Sequence, residues 1–434
     1  MNRVAMSMLL CAAVVMLGAV ASPALAAGEQ VTFTKDILPI LQENCQSCHR
    51  PSGKNMSGMI APMSLTTYQE VRPWAKAIAK AVENKVMPPW HASEATHGVF
   101  HNERTLSTKE IATITEWVNQ RAPRGNPKDA PAPVEFPNGW YMGEPDLVLD
   151  FGEPFFVPDD IQDLYHNVTV DIPESMLSKD EWVQSIEFRP GSEVVHHIIA
   201  YATDPDVAYS SADVEGDVEA DEEFQRGRTM LGGLAPGTDF DPFPEGYGLL
   251  LKKGAEMTFA MHYHKEAGPG TGQWDNSVMA VKFADKPVEN ELLITTIAHG
   301  AFEIPPFQEH WVVSGAKTFD EDSTLISLMP HTHLRGVEST YTAFYPDGTS
   351  EELLHTPNYD FNWQTVYSFN EPKKIPAGTR IEFELIYDNS KENGERAGFD
   401  PSRAVHFGGP TTDEMDLGWH TYSIDNKGMS GADD

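Results

Sequence analysis

The 434-residue chain carries 65 acidic against 31 basic side chains, a formal net charge of −34. A field of that sign repels nucleic acid and anionic lipid, and the length exceeds what a single hydrophobic core serves. Of three cysteines, Cys11 lies in a leader-like segment and only Cys45 and Cys48 remain, so a disulfide framework is excluded.

Residues 1–26 read as a cleavable secretory signal. Arg3 stands in the n-region, MLLCAAVVMLGAVA is the apolar run, and Pro23-Ala24-Leu25-Ala26 provides the small residues of a cleavage site. The run is too short and too early for a stop-transfer helix. The reading places the mature protein in the periplasm or outside the cell, with no membrane span.

Residues 28–125 are expected to form an all-α unit from FTKDILPILQEN, YQEVRPWAKAIAKAVENK and STKEIATITEWVNQ, the last opened by a Ser107/Glu110 capping box. Between the first two helices lies ENCQSCHR. C-x-x-C-H is the attachment pattern of c-type haem, in which Cys45 and Cys48 form thioethers and His49 ligates iron. A redox C-x-x-C needs no following histidine and prefers a βαβ setting. An N-terminal cytochrome c domain with covalently bound haem c is therefore expected. The sixth iron ligand would come from Met56, Met59, Met63, Met87, His91, His97 or His101. Met87 is preferred, since it follows a helix and is held by Pro88 and Pro89 in VMPPW, with Met63 second. A Met/His pair raises the haem potential and suits electron transfer.

NPKDAPAPVEFPNG opens a linker over 126–144. Beyond it the period shifts to short strands with turn signals between them: HNVTVDI, EWVQSIEFRPG, MTFAMHYH, VMAVKF, LLITTIA, STYTAFYPDGT and RIEFELIYDNS. That spacing indicates two antiparallel β-sandwich domains, 145–287 and 288–425, ahead of a tail at 426–434. The acidic run DVEGDVEADEE at 213–223 reads as a solvated loop.

Three histidine groups interrupt these strands. His196 and His197 sit in VVHHIIAYA, His262 and His264 in MHYHKE, His331 and His333 in MPHTHLRG. Neighbours on a regular strand point to opposite faces, so His196 and His197 reach one partner only through a bulge or through different nitrogens. In an H-x-H both rings leave one face and can chelate one ion. The lone His166, His299, His310, His355, His406 and His420 read as satisfied polar residues. With Met415 in TTDEM and no free thiolate, the donor set is imidazole plus thioether, a copper set; zinc is the second choice, because it rarely takes a thioether.

Together these stretches resemble the copper type II, ascorbate-dependent monooxygenases, the family of peptidylglycine α-hydroxylating and dopamine β-monooxygenases. HHIIAY, HYH, HTHLRG and TTDEM stand in that family's order across roughly residues 145–425, and MPPW, EFRPG, HLRG and DFNWQ resemble a bacterial group with a cytochrome c fused ahead of it. The resemblance implies jelly-roll-like sandwiches and two copper ions. His196, His197 and His262 would hold the electron-transfer copper, and His331, His333 and Met415 would be the catalytic ligands of the copper where O2 and substrate meet. It assigns no role to His264. It further implies an enzyme that hydroxylates a C–H bond, with electrons from an external donor (ascorbate or a redox protein) or through the fused haem. Positions that clamp a peptide carboxylate in amidating members hold Met329, Leu417 and Trp419, so an apolar or neutral substrate is expected. A non-catalytic periplasmic haem and copper electron carrier is the alternative, and substrate-dependent oxygen uptake separates the two.

Overall fold

The computed structural model describes residues 30–50, 61, 63–137, 139–206, 227–238 and 240–426. The leader-like segment, Met56, Met59, the acidic run 213–223 and residues 427–434 lie outside the described residues. The protein is mostly β-sheet, with several antiparallel sheets and a short N-terminal helical region. Among the described residues no helix is long and apolar enough to cross a membrane.

In the helical region a wide turn, Phe33–Ile37, runs into Leu38–Asn44, followed by Tyr68–Val71, Ala75–Glu83 and Thr108–Asn119. These bury Phe33, Leu41, Val71, Val82, Ile114 and Trp117 against one another. Ser107 and Glu110 form the expected capping box, and Thr67 with Glu70 forms a second. The helix expected from YQEVRPWAKAIAKAVENK is broken into two by a 3₁₀ turn at Arg72–Trp74, because Pro73 has no N–H to donate to the ladder.

In the β part, a four-stranded sheet of Asp163–Asp171, Glu256–His264, Val195–Thr203 and Arg228–Leu234 packs on strands Leu147–Asp150, Val278–Phe283, Glu181–Arg189 and Tyr247–Leu251. A second four-stranded sheet, Trp311–Thr318, Arg380–Tyr387, Gly336–Phe344 and Ser350–Thr356, packs on Asn290–Ala298, Leu417–Ile424, Ser323–His331 and Tyr367–Ile375. The two layered units are joined through one of their layers. Tyr247 and Gly248 pair in parallel with Asn290 and Glu291, so a single eight-stranded sheet runs through both.

Nor is the helical region held by the 126–144 segment alone. A strap over residues 90–104 lies on the second unit, where Ser93 N donates to His355 O (2.8 Å), His101 N to Ser368 O (3.0 Å) and Asn370 N to Val99 O (2.9 Å). Phe100 is its anchor. It is 2% exposed, with Tyr367 and Phe369 ring centroids at 5.5 and 5.1 Å and Trp90 at 6.3 Å. Truncating a ring in such a site costs about 3–5 kcal/mol, so Phe100→Ala is expected to lower stability by about that amount in urea unfolding and to expose the strap to limited proteolysis.

Candidate metal centre

His196 and His197 open the strand Val195–Thr203, and the pairing with Glu256–His264 slips between them: Val195 faces Tyr263, while His197 already faces His262. The slip is a β-bulge at His196. It cancels the strand alternation locally, so both imidazoles turn to one side. His262 comes from the partner strand, and the three rings offer nitrogens that all lie within 4.8 Å of one another.

The ring environments leave donors bare. His262 donates from Nε2 to Asp163 Oδ1 (3.0 Å) and stacks on Tyr165, centroids 4.3 Å apart, while its Nδ1 is buried without a partner. His196 Nδ1 is likewise buried and unpartnered. Burial holds His196 and His197 well below the ordinary imidazole range and lowers His262 despite Asp163. Neutral imidazole is the form that binds metal, and orphaned buried nitrogens are rare unless something takes them. This three-histidine cluster fits a copper site.

His264 is not part of it. Its Nδ1 donates to Asp163 Oδ1 (2.8 Å), and its side chain is partly exposed. Burial pushes the Asp163 carboxyl up, but hydrogen bonds from His262 and His264 outweigh it and hold the group well below the usual carboxylate range. Asp163 also accepts from Thr411 Oγ1 (3.0 Å), and Tyr165 donates to Gly409 O. The loop that carries Met415 is thereby tied to the first unit's histidine sheet.

His331 ends the strand Ser323–His331 and His333 lies just past it, ring centroids 5.4 Å apart at 89°. Strand alternation does not bring them together as the sequence pattern implies; the chain has left the strand at His333. A buried carboxylate does the positioning. Glu414 accepts from Thr332 Oγ1 (2.9 Å), His333 N (2.9 Å) and Arg335 N (2.7 Å), which fixes HTHLRG against TTDEM. Gly336 completes the turn, since a Cβ there would lie 2.0 Å from Thr332 Cγ2.

His331 Nδ1 donates to Gln364 Oε1 (2.9 Å) and His333 Nδ1 to Asp413 O (3.2 Å). Gln364 Nε2 donates in turn to Phe361 O (3.2 Å), which sets the amide so that its oxygen faces His331. Each Nδ1 carries the proton and each Nε2 keeps its lone pair. Burial pulls His331 down to about 4 and His333 well below its ordinary range. Met415 is buried two residues before Leu417, the register partner of His331, at the same end of the sheet. Beside it Asp416 is buried with neither oxygen partnered, and burial pushes its carboxyl up to about 8, which leaves it protonated at neutral pH.

The two groups meet. His197 and His331 have ring centroids 6.3 Å apart at 90°. Phe361 stacks on His196 (4.9 Å, 17°) and stands edge-on to His333 (5.8 Å, 85°), so one phenyl ring separates them. Phe361 and Gln364 belong to the DFNWQ stretch that the sequence marked without a role. Asp163, Tyr165 and Glu414 carried no signal of their own.

In the helical region Cys45 and Cys48 form no disulfide, and burial pushes the Cys45 thiol up to about 12. His49 Nδ1 donates to Met63 O (3.1 Å), which leaves Nε2 bare. Cys45 and the Met63 side chain pack on the helical core. Met87 is half-buried. His97 Nδ1 is engaged by Glu103, and both nitrogens of His101 are engaged, by Phe369 O and Asp241.

Outer-sphere partners of ligating histidines typically change metal affinity about 10–100-fold. Asp163→Asn keeps the size of the side chain but removes the charge that orients His262, so copper affinity at the three-histidine cluster is expected to fall within that range in a competition titration, with His331 and His333 unaffected.

Residues 290–422 match the family model described as copper type II ascorbate-dependent monooxygenase, C-terminal domain. Among solved structures, the infectious bursal disease virus VP2 subviral particle is 13% identical over 57% of this chain and 58% of that chain, TM-score 0.18. The Gx strain of infectious bursal disease virus is 12% identical over 62% and 60%, TM-score 0.19. The chain thus spans 58% and 60% of the length of these two structures, and at such TM-scores the likeness says nothing about its architecture. The segment that carries His331, His333 and Met415 is a copper type II ascorbate-dependent monooxygenase C-terminal domain.

Proposed function

We propose that the protein is an exported copper-dependent monooxygenase that hydroxylates a substrate C–H bond with O2 and receives electrons through a covalently bound haem c. The observation that carries this reading is the convergence of the three-histidine cluster and the His331/His333 pair, 6.3 Å apart ring to ring, inside and beside the matched domain. One oxygen atom enters the C–H bond and the other leaves as water, which takes two electrons and two protons. A pair of one-electron metal sites suits that stoichiometry.

His196, His197 and His262 would hold one copper, and His331, His333 and Met415 the other. Copper bound to imidazole and thioether supplies the one-electron chemistry that activates oxygen. The protein's part is to keep every ligating imidazole neutral by burial and to aim it through a second bond. Asp163 does this for His262, Gln364 for His331 and the Asp413 carbonyl for His333. Phe361 stands between His196 and His333, stacked on the first and edge-on to the second.

Cys45, Cys48 and His49 would attach the haem, which would serve as a one-electron store. His49 Nδ1 donates to Met63 O, which would leave Nε2 to ligate the iron. With the Met63 carbonyl committed to His49 Nδ1, Met87 would be the preferred sixth ligand and Met63 the second. From Met87 the chain passes Pro88 and Pro89 to Trp90, whose ring meets Tyr367 at 4.9 Å, and Tyr367 lies three residues along the chain from Gln364, the partner of His331 Nδ1. This contact supports electron delivery from the helical region toward the second copper, with ascorbate or a redox protein as the external donor.

Full-length protein matured with c-type haem and loaded with copper is expected to hold two coppers per haem, falling to about one in Met415→Ala or His331→Ala. One copper or none in the parent overturns the paired site. Reduced haem is expected to reoxidise with O2 plus substrate faster in the copper-loaded protein than in His331→Ala; equal rates in stopped-flow absorbance remove the haem from the electron path and leave the external donor to supply copper directly.

A further inference from the structure

Between the two layered units lies a cavity of about 180 Å³, bordered on one side by His197 and on the other by His331. Its walls are apolar: Ile199 and Met230 from the first unit, Ile294, Ile326, Met329 and Trp419 from the second. Among the described lining residues there is no lysine or arginine, and the one carboxylate, Asp241, is paired with His101 (2.9 Å). Both are partly exposed, so this pair sits at the rim. Inside, His420 is neutralised by its own contacts, Nδ1 donating to Gly418 O (3.2 Å) and Nε2 accepting from Thr295 Oγ1 (3.0 Å). Gln364 is spent on His331 and Phe361 O.

We propose, resting on the monooxygenase reading, that this cavity is the substrate site and that the substrate is a small, uncharged, apolar molecule whose C–H bond is presented between His197 and His331. Three observations carry the assignment. A buried ion here would meet no side chain of opposite charge apart from the paired His101 and Asp241 at the rim, so in the copper-stripped protein its charge would stay unpaired in an apolar setting, which is prohibitive. The volume is close to that of a roughly 150 Å³ apolar cavity known to stay dry and admit benzene, which sets the occupant at roughly seven to ten non-hydrogen atoms. The location gives the occupant contact with a histidine from each metal group at once. The strap residue His101, on the rim, also makes the N-terminal helical region part of the entrance, so substrate entry and the attachment of that region share one contact.

Toluene binding to the full-length protein, copper-loaded and copper-stripped, tests this by calorimetry, with benzoate and benzylammonium as charged counterparts of the same ring. Toluene is expected to bind both forms with Kd below about 1 mM, and in the copper-stripped form each ion at least tenfold more weakly. Met329→Trp is expected to weaken toluene at least tenfold with copper per protein unchanged, and Ile294→Phe reads the same wall should Met329→Trp fail to fold. Absence of toluene binding, an ion binding the copper-stripped form as well as toluene, or toluene binding untouched by a folded wall variant would each overturn the proposal. Toluene binding in a protein that holds fewer than two coppers keeps the apolar cavity and sinks the monooxygenase reading instead. Two coppers without toluene binding sinks the cavity assignment alone.

Discussion

A carboxylate stripped of water needs donors on every lone pair it exposes, and Glu414 finds them in the backbone of HTHLRG. It is fully buried; burial pushes its carboxyl up to about 7, against the pull of Arg335 and of the amides of Arg335 and His333. Arg335 is itself 2% exposed, its Nε donating to Asn389 Oδ1 (2.9 Å), its Nη1 to Thr412 O (2.9 Å), and its guanidinium lying 4.0 Å over Phe399. Removing either member of such a pair strands the other, which is the costly way to break a buried ion pair. The arrangement therefore resists distortion, and it places His333 and Met415 as a by-product: the residue before Met415 holds the backbone of His333.

The same loop reaches across the molecule. Thr411 bonds to Asp163 and Gly409 accepts from Tyr165, and Asp163 and Tyr165 are the residues that orient and cover His262. One loop thus serves the ligands of both metal groups, and the units it connects already share an eight-stranded sheet. Two rigid units with a common sheet and a common loop have little freedom to separate, which is consistent with a single phenyl ring, Phe361, standing between His196 and His333. An apolar cavity lies beside these groups, and the polar side chains His420 and Gln364 that line it are taken up by neighbouring polar atoms.

Much of this was legible in the chain itself. Alternating or amphipathic stretches such as EWVQSIEFR and TKEIATITEWVN appear as strand and helix at the positions their periods indicate. The strands Ser323–His331 and Leu417–Ile424 were not separately legible, because both are buried along nearly their whole length, one face on the partner sheet and the other toward the first unit, and so show no alternation. The paired histidines of VVHHIIAYA were recognisable as a problem, and the bulge that solves it depends on how Val195–Thr203 registers with a strand some sixty residues later.

Residue type and local spacing by themselves determined which side chains are competent for metal chemistry, because imidazole, thioether and thiol donors have no common substitute and their clustering is visible in one dimension. Which nitrogen of each ring is free, that His264 serves Asp163 instead of joining its neighbours, that Phe361 divides the two groups, and that an uncharged cavity opens beside them were decided only by tertiary structure. Each of those depends on partners 14 to 248 residues away, and no local pattern encodes a hydrogen bond whose acceptor arrives from another sheet.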